Sequence, residues 1–468
     1  MYTTPTLTTA NTTTLFTTNT ECFTPERLFP KEDGSTPPQP FRILSIDGGG
    51  IRGLAPALVL AALEQHLPEP LHTYFDLVAG TSTGGIIALA LTKPEPKTAM
   101  ELVKFYTGEA SQRIFTHPSL LFQLIDTVFK LPELIKILLL LGLFLLIGIC
   151  YQGFKLLVPL TGFITWLTTH QITNTIIPPT VYQNLVQGSL FALLLTSIVA
   201  VVYRAEACRA KHPEANAEAV FNTLYGANTQ LGQALKPTLV TAYSMTERLA
   251  TFFRSYKAEY AELTLATLAR CTSAAPTFFT PKQVELYGTP KAFIDGGIVS
   301  NNPALYAYTE LLSLVRKHRV DWKQNAKNRP LTPTELRNIA AMEVPIQLIS
   351  LGTGSQNNKY TKTPQALRKW SPLQWVAPLI ECFFDANDDL VHQQLLALLP
   401  EEQYFRFQFE LPNNGSDLPE EIISGMAAMD NASPQNLQQL QRLIQGKLQN
   451  PSDCWHQQLQ QLVMVLTT

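Results

Sequence analysis

The sequence predicts an α/β protein: a mostly parallel central sheet with helices on both faces, plus an inserted hydrophobic helical hairpin. Three observations predict it. Short apolar runs of strand character alternate with segments of helical periodicity. The glycine-rich stretches fall where an apolar run gives way to a helix, the edge at which parallel α/β sheets build their sites. Charge is also unevenly spread. Only 15% of the 468 residues are charged, against about a quarter in ordinary soluble chains, and one long region carries almost none.

Residues 1–38 come first, rich in threonine and proline. They lack the apolar surface to order themselves and read as a flexible arm; without a basic start or apolar core they are not a secretory leader. The body follows in two parts, 39–129 and 206–448. Strands are predicted at 42–46 (RILSI), 75–80 (FDLVAG), 238–245, 291–296, 344–352 and 404–411. Helices are predicted at about 53–67, 84–110, 214–235, 300–318 and 432–448. The glutamine-rich end continues as a helical tail over 449–468.

Residues 130–205 interrupt the body. The run ILLLLGLFLLIGICYQGF has no charge, and none occurs from Leu156 to Tyr203. About 20 apolar residues suffice for a helix to cross a bilayer, and both ends of the region qualify. Pro159, Pro178 and Pro179 break the middle. The expectation is an integral hairpin over 134–203, with membrane lipids as its anchor. Lys130, Lys136, Arg204, Arg209 and Lys211 flank it, which puts the body on the cytoplasmic side, although Lys155 at the far turn weakens that argument. The alternatives are a re-entrant or monotopic hairpin and a buried hairpin in a soluble core.

A formal net charge of −2 argues against a nucleic-acid binder. Six scattered cysteines without metal-ligand spacing read as free thiols.

The chemistry begins at GTSTGG. Gly80, Ser82 and Gly84 form G-x-S-x-G between a strand and a helix, a turn that strains and exposes the serine; the bland reading is a tight glycine-rich connection. A serine needs a base. Of eight histidines, His392 is the best placed, but it falls on an ordinary helical run. Asp295, ending the apolar run KAFID before two glycines, is the better candidate; its bland reading is an Asp-Gly turn. The loop DGGGIRG, also between strand and helix, can line up the N–H groups of Gly48, Gly49 and Gly50 toward an anion, with Arg52 adding positive charge. The same glycines match a dinucleotide loop, but Glu69 lies in a proline-bound loop rather than at a strand end, and a Walker lysine is lacking.

In this order, DGGGIRG, GTSTGG and DGG resemble the patatin-like phospholipases, lipid acyl hydrolases that use a Ser–Asp dyad. RCTSAAPTFF, LISLGTG and MDNASPQNLQQL resemble further segments of that family, so the likeness spans most of 41–446. The resemblance implies a three-layer sandwich, Ser82 as nucleophile, Asp295 as base, and an oxyanion hole built by Gly48, Gly49, Gly50 and Arg52. It also implies hydrolysis of membrane lipids through an acyl-enzyme, with neither calcium, another metal nor any other cofactor expected. The apolar insertion departs from the family. Two rival functions follow from the residues: a membrane-binding or remodelling protein without turnover, and a serine esterase with a histidine triad.

Overall fold

The computed structural model describes residues 23–29, 39–116, 210–355, 372–412 and 418–467. The chain divides into two units, residues 1–116 with 212–468, and residues 117–211. The second contains the expected hairpin at 130–205, which lies outside the described residues. Among the described residues no helix is long and apolar enough to cross a membrane.

The first unit is built on one sheet. Its strands are β1 (Phe41–Ile46), β2 (Leu77–Gly80), β3 (Thr238–Ser244), β4 (Leu249–Arg254), β5 (Lys282–Leu286), β6 (Thr289–Asp295), β7 (Ile346–Leu351) and β8 (Tyr404–Phe407). They run in the order β5-β6-β3-β2-β1-β7-β8, with β4 also paired to β3. Strands β3, β2, β1, β7 and β8 are mutually parallel. Strands β4 and β6 are antiparallel to β3, and β5 is antiparallel to β6.

The α-helices longer than four residues are α1 (Leu54–Glu64), α2 (Thr83–Thr92), α3 (Ala99–Thr107), α4 (Glu109–Ile114), α5 (Glu214–Tyr225), α6 (Leu265–Thr272), α7 (Ala304–Lys327), α8 (Pro333–Ala341), α9 (Pro372–Leu398), α10 (Glu420–Ala427), α11 (Pro434–Gln449) and α12 (Cys454–Thr467). Alternation along the central strands sorts them into two layers. Leu44, Ile46, Val78, Ile349 and Leu351 pack on one face with residues of α1, α2, α3, α5 and α11. Phe41, Ile43, Leu77, Ala79 and Leu348 pack on the other with residues of α7 and α9. Burial on both faces explains why these strands read as continuous apolar runs.

Several elements differ from expectation. The helix predicted over 84–110 is broken twice: Pro94 and Pro96 end α2, Thr98 starts α3 with a capping box to Glu101, and Gly108 separates α3 from α4. Helix α5 stops at Tyr225, where Gly226 takes φ 83°. Strands β4 and β5 and helices α6, α8 and α10 were not predicted, and of α9 only the run around His392 was read as helical. Residues 23–29 fall inside the expected flexible arm, yet they fold onto the body. Arg27 donates from Nη1 and Nη2 to the Asp76 carboxylate at 2.7 Å each, and Phe23 and Leu28 are buried.

Candidate active site

Three loops meet at the carboxyl edge of the parallel strands. The first follows β2. Ser82 has φ 52° and ψ −119°, a conformation that β-carbon sterics disfavour. The glycines make the turn tight enough to impose it. A Cβ on Gly80 would overlap the Gly84 carbonyl, and one on Gly84 would overlap the Ile46 carbonyl of β1. The Ser82 N–H donates to Thr272 Oγ1 at 2.8 Å, so the end of α6 holds the elbow from the side.

The second loop follows β6. Register explains why it meets the first: Val240 of β3 pairs with Gly80, the last residue of β2, and Ala242 pairs with Asp295, the last of β6. Asp295 thus lies just past the point where β2 ends and its turn begins. The sequence argument put Asp295 there as the end of another parallel strand. In fact β6 is antiparallel to β3 and arrives from beyond the edge.

Ser82 Oγ donates to Asp295 Oδ2 at 2.7 Å. The other carboxylate oxygen accepts the Gly297 N–H, also at 2.7 Å. Both residues are buried, at 7% and 1% exposure. Burial pushes the Asp295 carboxyl up to about 7, against the two hydrogen bonds that favour its charged form.

The third loop follows β1. Gly50 has φ 58°, and a Cβ there would overlap the Met429 carbonyl, which accepts the Ile51 N–H at 2.7 Å. A Cβ on Gly48 would lie 3.3 Å from Ser82 Cβ, which measures how close the loop comes to the serine. The four residues predicted for an oxyanion hole are not equivalent. The Gly48 N–H is engaged by the Asn301 carbonyl at 3.1 Å. Among the described residues the N–H groups of Gly49 and Gly50 have no hydrogen-bond partner, and both glycines line the cavity in front of Ser82. Arg52 is buried behind the loop, its Nε facing the Gly49 carbonyl at 3.5 Å, and it is not among the cavity residues.

The cavity measures about 500 Å³ and is mainly apolar. Ser82 and Asp295 border it, and Ile86, Phe105, Phe221, Phe279 and Phe384 form much of its wall. Phe384 was missed because only the run around His392 was read as helical, not the turns of α9 that precede it. Met429 and Asp430, also in the wall, belong to a segment the sequence flagged only by resemblance. His392 is elsewhere: it sits on α9 with Nδ1 3.1 Å from Tyr404 Oη and does not border the cavity.

Asp47, which opens the glycine loop, is held by Arg406. Arg406 donates to Asp47 Oδ2 and to Asp388 Oδ1, each at 2.6 Å, and to Ser350 Oγ at 2.8 Å. This buried cluster ties β1, β7, β8 and α9 together beneath the loop.

An apolar cavity with a serine hydroxyl at its edge and a carboxyl in contact with it suits an acyl ester. On an α/β sheet of this layout, it marks the class of lipid acyl hydrolases. The sequence model of the patatin-like phospholipase matches residues 44–308. Patatin-like protein 2 of Oryza sativa subsp. indica is 26% identical over 430 residues, covering 86% of this chain and 82% of its own. Patatin-like protein 2 of Arabidopsis thaliana is 27% identical over 438 residues, covering 87% and 83%. A shorter segment of 55 residues, 12% of this chain, is 51% identical to part of Phospholipase A I of Arabidopsis thaliana, 4% of that chain. The chain belongs to the patatin-like phospholipase family.

Proposed function

We propose that the protein is a carboxylic ester hydrolase that cleaves fatty-acyl esters of membrane glycerolipids, phospholipids or galactolipids foremost, through a Ser82–Asp295 dyad. The observation that carries this reading is the 2.7 Å Ser82–Asp295 hydrogen bond at the edge of the apolar cavity. Asp295 takes the Ser82 proton as Oγ attacks the ester carbonyl. The tetrahedral oxyanion collapses, the alcohol leaves with the proton from Asp295, and an acyl-enzyme remains. Water, deprotonated by Asp295, attacks that ester and releases the fatty acid, while the proton returns to Ser82. A carboxyl raised to about 7 suits this work better than an ordinary aspartate, since a base is most effective near the working pH.

In this reading the catalytic domain comprises 39–129 and 206–448, and residues 449–468 are its helical tail. Residues 130–205 anchor it to the membrane through an integral hairpin at 134–203, with the body on the cytoplasmic side. Access from the bilayer matters because moving an acyl chain into water costs about 0.8 kcal/mol per CH₂.

The test is fatty-acid release from mixed phospholipid vesicles by the full-length protein. Ser82→Ala and Asp295→Asn should each lower the rate by roughly 10³-fold or more with the fold intact. His392→Ala should keep most of the activity. Loss of activity in a folded His392→Ala would replace the dyad with a histidine triad, and a wild type that binds vesicles without releasing fatty acid would mean a non-catalytic membrane protein.

A further inference from the structure

We infer that Thr353 is a positioning residue of the oxyanion hole, acting through the Gly48–Gly49 peptide. This inference rests on Ser82 being the nucleophile. Parallel register brings Thr353 to the loop: β1 and β7 pair Ile46 with Leu351, so Gly48 and Thr353 each lie two residues beyond paired strand ends. The Asp47 N–H bonds the Leu351 carbonyl at 2.9 Å, which continues the ladder one step past β1.

The buried Thr353 hydroxyl donates to the Gly48 carbonyl. In a trans peptide the carbonyl and the following N–H point in opposite directions. Drawing the Gly48 carbonyl toward Thr353 therefore turns the Gly49 N–H away from Thr353, to the side on which Gly49 borders the cavity. The next peptide repeats the device. The Gly49 carbonyl accepts the Arg52 N–H at 3.2 Å and faces Arg52 Nε at 3.5 Å, so the Gly50 N–H is turned the opposite way. Two carbonyls fastened behind the loop aim two amides in front of it.

Gly49 has no room for a side chain because a Cβ would overlap the Thr353 side chain. The threonine is pressed directly against the peptide it orients. Thr353 is itself fixed from both sides. The Gly352 N–H bonds the Phe407 carbonyl at 2.8 Å, and the Gly354 N–H bonds Gln408 Oε1 at 2.9 Å. Rigid support of this kind is what an oxyanion site requires, since its donors must be aimed before charge develops.

The experiment compares wild type, Thr353→Val, Thr353→Ala and Thr353→Ser as full-length proteins on mixed phospholipid vesicles. Two reactions are read: fatty-acid release, and covalent capture of Ser82 by a fluorophosphonate, followed by intact mass. Both place a negative oxygen opposite Ser82. Removing an oxyanion donor lowers kcat by roughly 10²–10³-fold; a misaimed donor should lower it less.

Thr353→Val should therefore reduce kcat and the capture rate about 10- to 100-fold, with KM within about twofold of wild type. Thr353→Ser should recover both rates to within a few-fold of wild type. If the valine variant does not fold, Thr353→Ala carries the same expectation. A folded valine or alanine variant with wild-type kcat overturns the inference. So does a serine variant as slow as valine, or a loss confined to KM. If wild type is captured at Ser82 but releases no fatty acid, the substrate reading fails, and the capture rates alone decide the role of Thr353. If wild type is neither captured nor active, the nucleophile reading and this inference fall together.

Discussion

Asp295 sits where its negative charge is least welcome. Its carboxyl rises from 3.8 to about 7 because burial outweighs the hydrogen bonds from Ser82 and Gly297. Two measurements follow at this scale. As the base, Asp295 must be ionised, so kcat/KM should rise about tenfold per pH unit below pH 7 and level off above it. The stability effect has the opposite sign. A carboxyl whose folded value is raised contributes stability that is full below 3.8 and lost as the pH climbs through about 7. Asp295→Asn should therefore raise the unfolding temperature relative to wild type, by more at pH 8 than at pH 5, while abolishing turnover. A calorimetric series across that range checks it, and an equal effect at both pH values would contradict the raised carboxyl. Gly84→Ala should do the reverse of stabilising. Its Cβ would overlap the Ile46 carbonyl, a backbone atom of the central strand that cannot move aside; the thermal transition should fall by several degrees.

Among the elements, α9 contributes most that the sequence did not announce. Phe384 lies where a Cβ on Gly297 would strike its ring, and Gly297 is the residue whose N–H orients Asp295. Asn387 accepts the Asn302 N–H at 3.3 Å and donates to the Val299 carbonyl at 3.2 Å, clasping the turn after the base. Asp388 reaches Arg406. Arg406→Met would leave Asp47 and Asp388 facing each other in the interior without a cation. Breaking a buried ion cluster in this way typically costs about 3–5 kcal/mol, and urea unfolding should register a loss of that order. Because Asp47 opens the glycine loop, kcat should fall with it. A change below about 1 kcal/mol, the range of exposed pairs, would show that the cluster is dispensable.

For the whole molecule, the two ends of the body on either side of the second unit already touch. His212 Nδ1 bonds the Thr116 carbonyl at 3.0 Å, and His212 Nε2 bonds Asp430 at 2.9 Å. Loop closure therefore imposes little strain on a shortened chain. Replacing residues 117–211 with a short Gly-Ser linker should leave the body folded, with an unfolding temperature within a few degrees of wild type. If 130–205 is the anchor, the shortened protein should no longer sediment with vesicles and should hydrolyse a short-chain soluble ester better than a bilayer substrate. Undiminished vesicle binding would move the anchor to the body.

The serine, the aspartate and the glycine loop were legible from sequence because each is a local device. An apolar run, a tight glycine turn and a helix are decided by neighbours a few residues away, and they announce a strained serine or a nest of amides. The alternating apolar runs likewise specified a two-sided sheet. What only the tertiary structure decided is non-local. The antiparallel course of β6 brings Asp295 to the edge from the opposite direction. The register of β1 with β7 sets Thr353 behind Gly48, 305 residues away. Helix α9 closes over the turn after Asp295, and Asn301 engages the Gly48 amide, separating the roles of glycines that look equivalent in sequence. Each of these depends on which strand pairs with which and in what register, and that is chosen by burial and hydrogen bonding across the whole sheet.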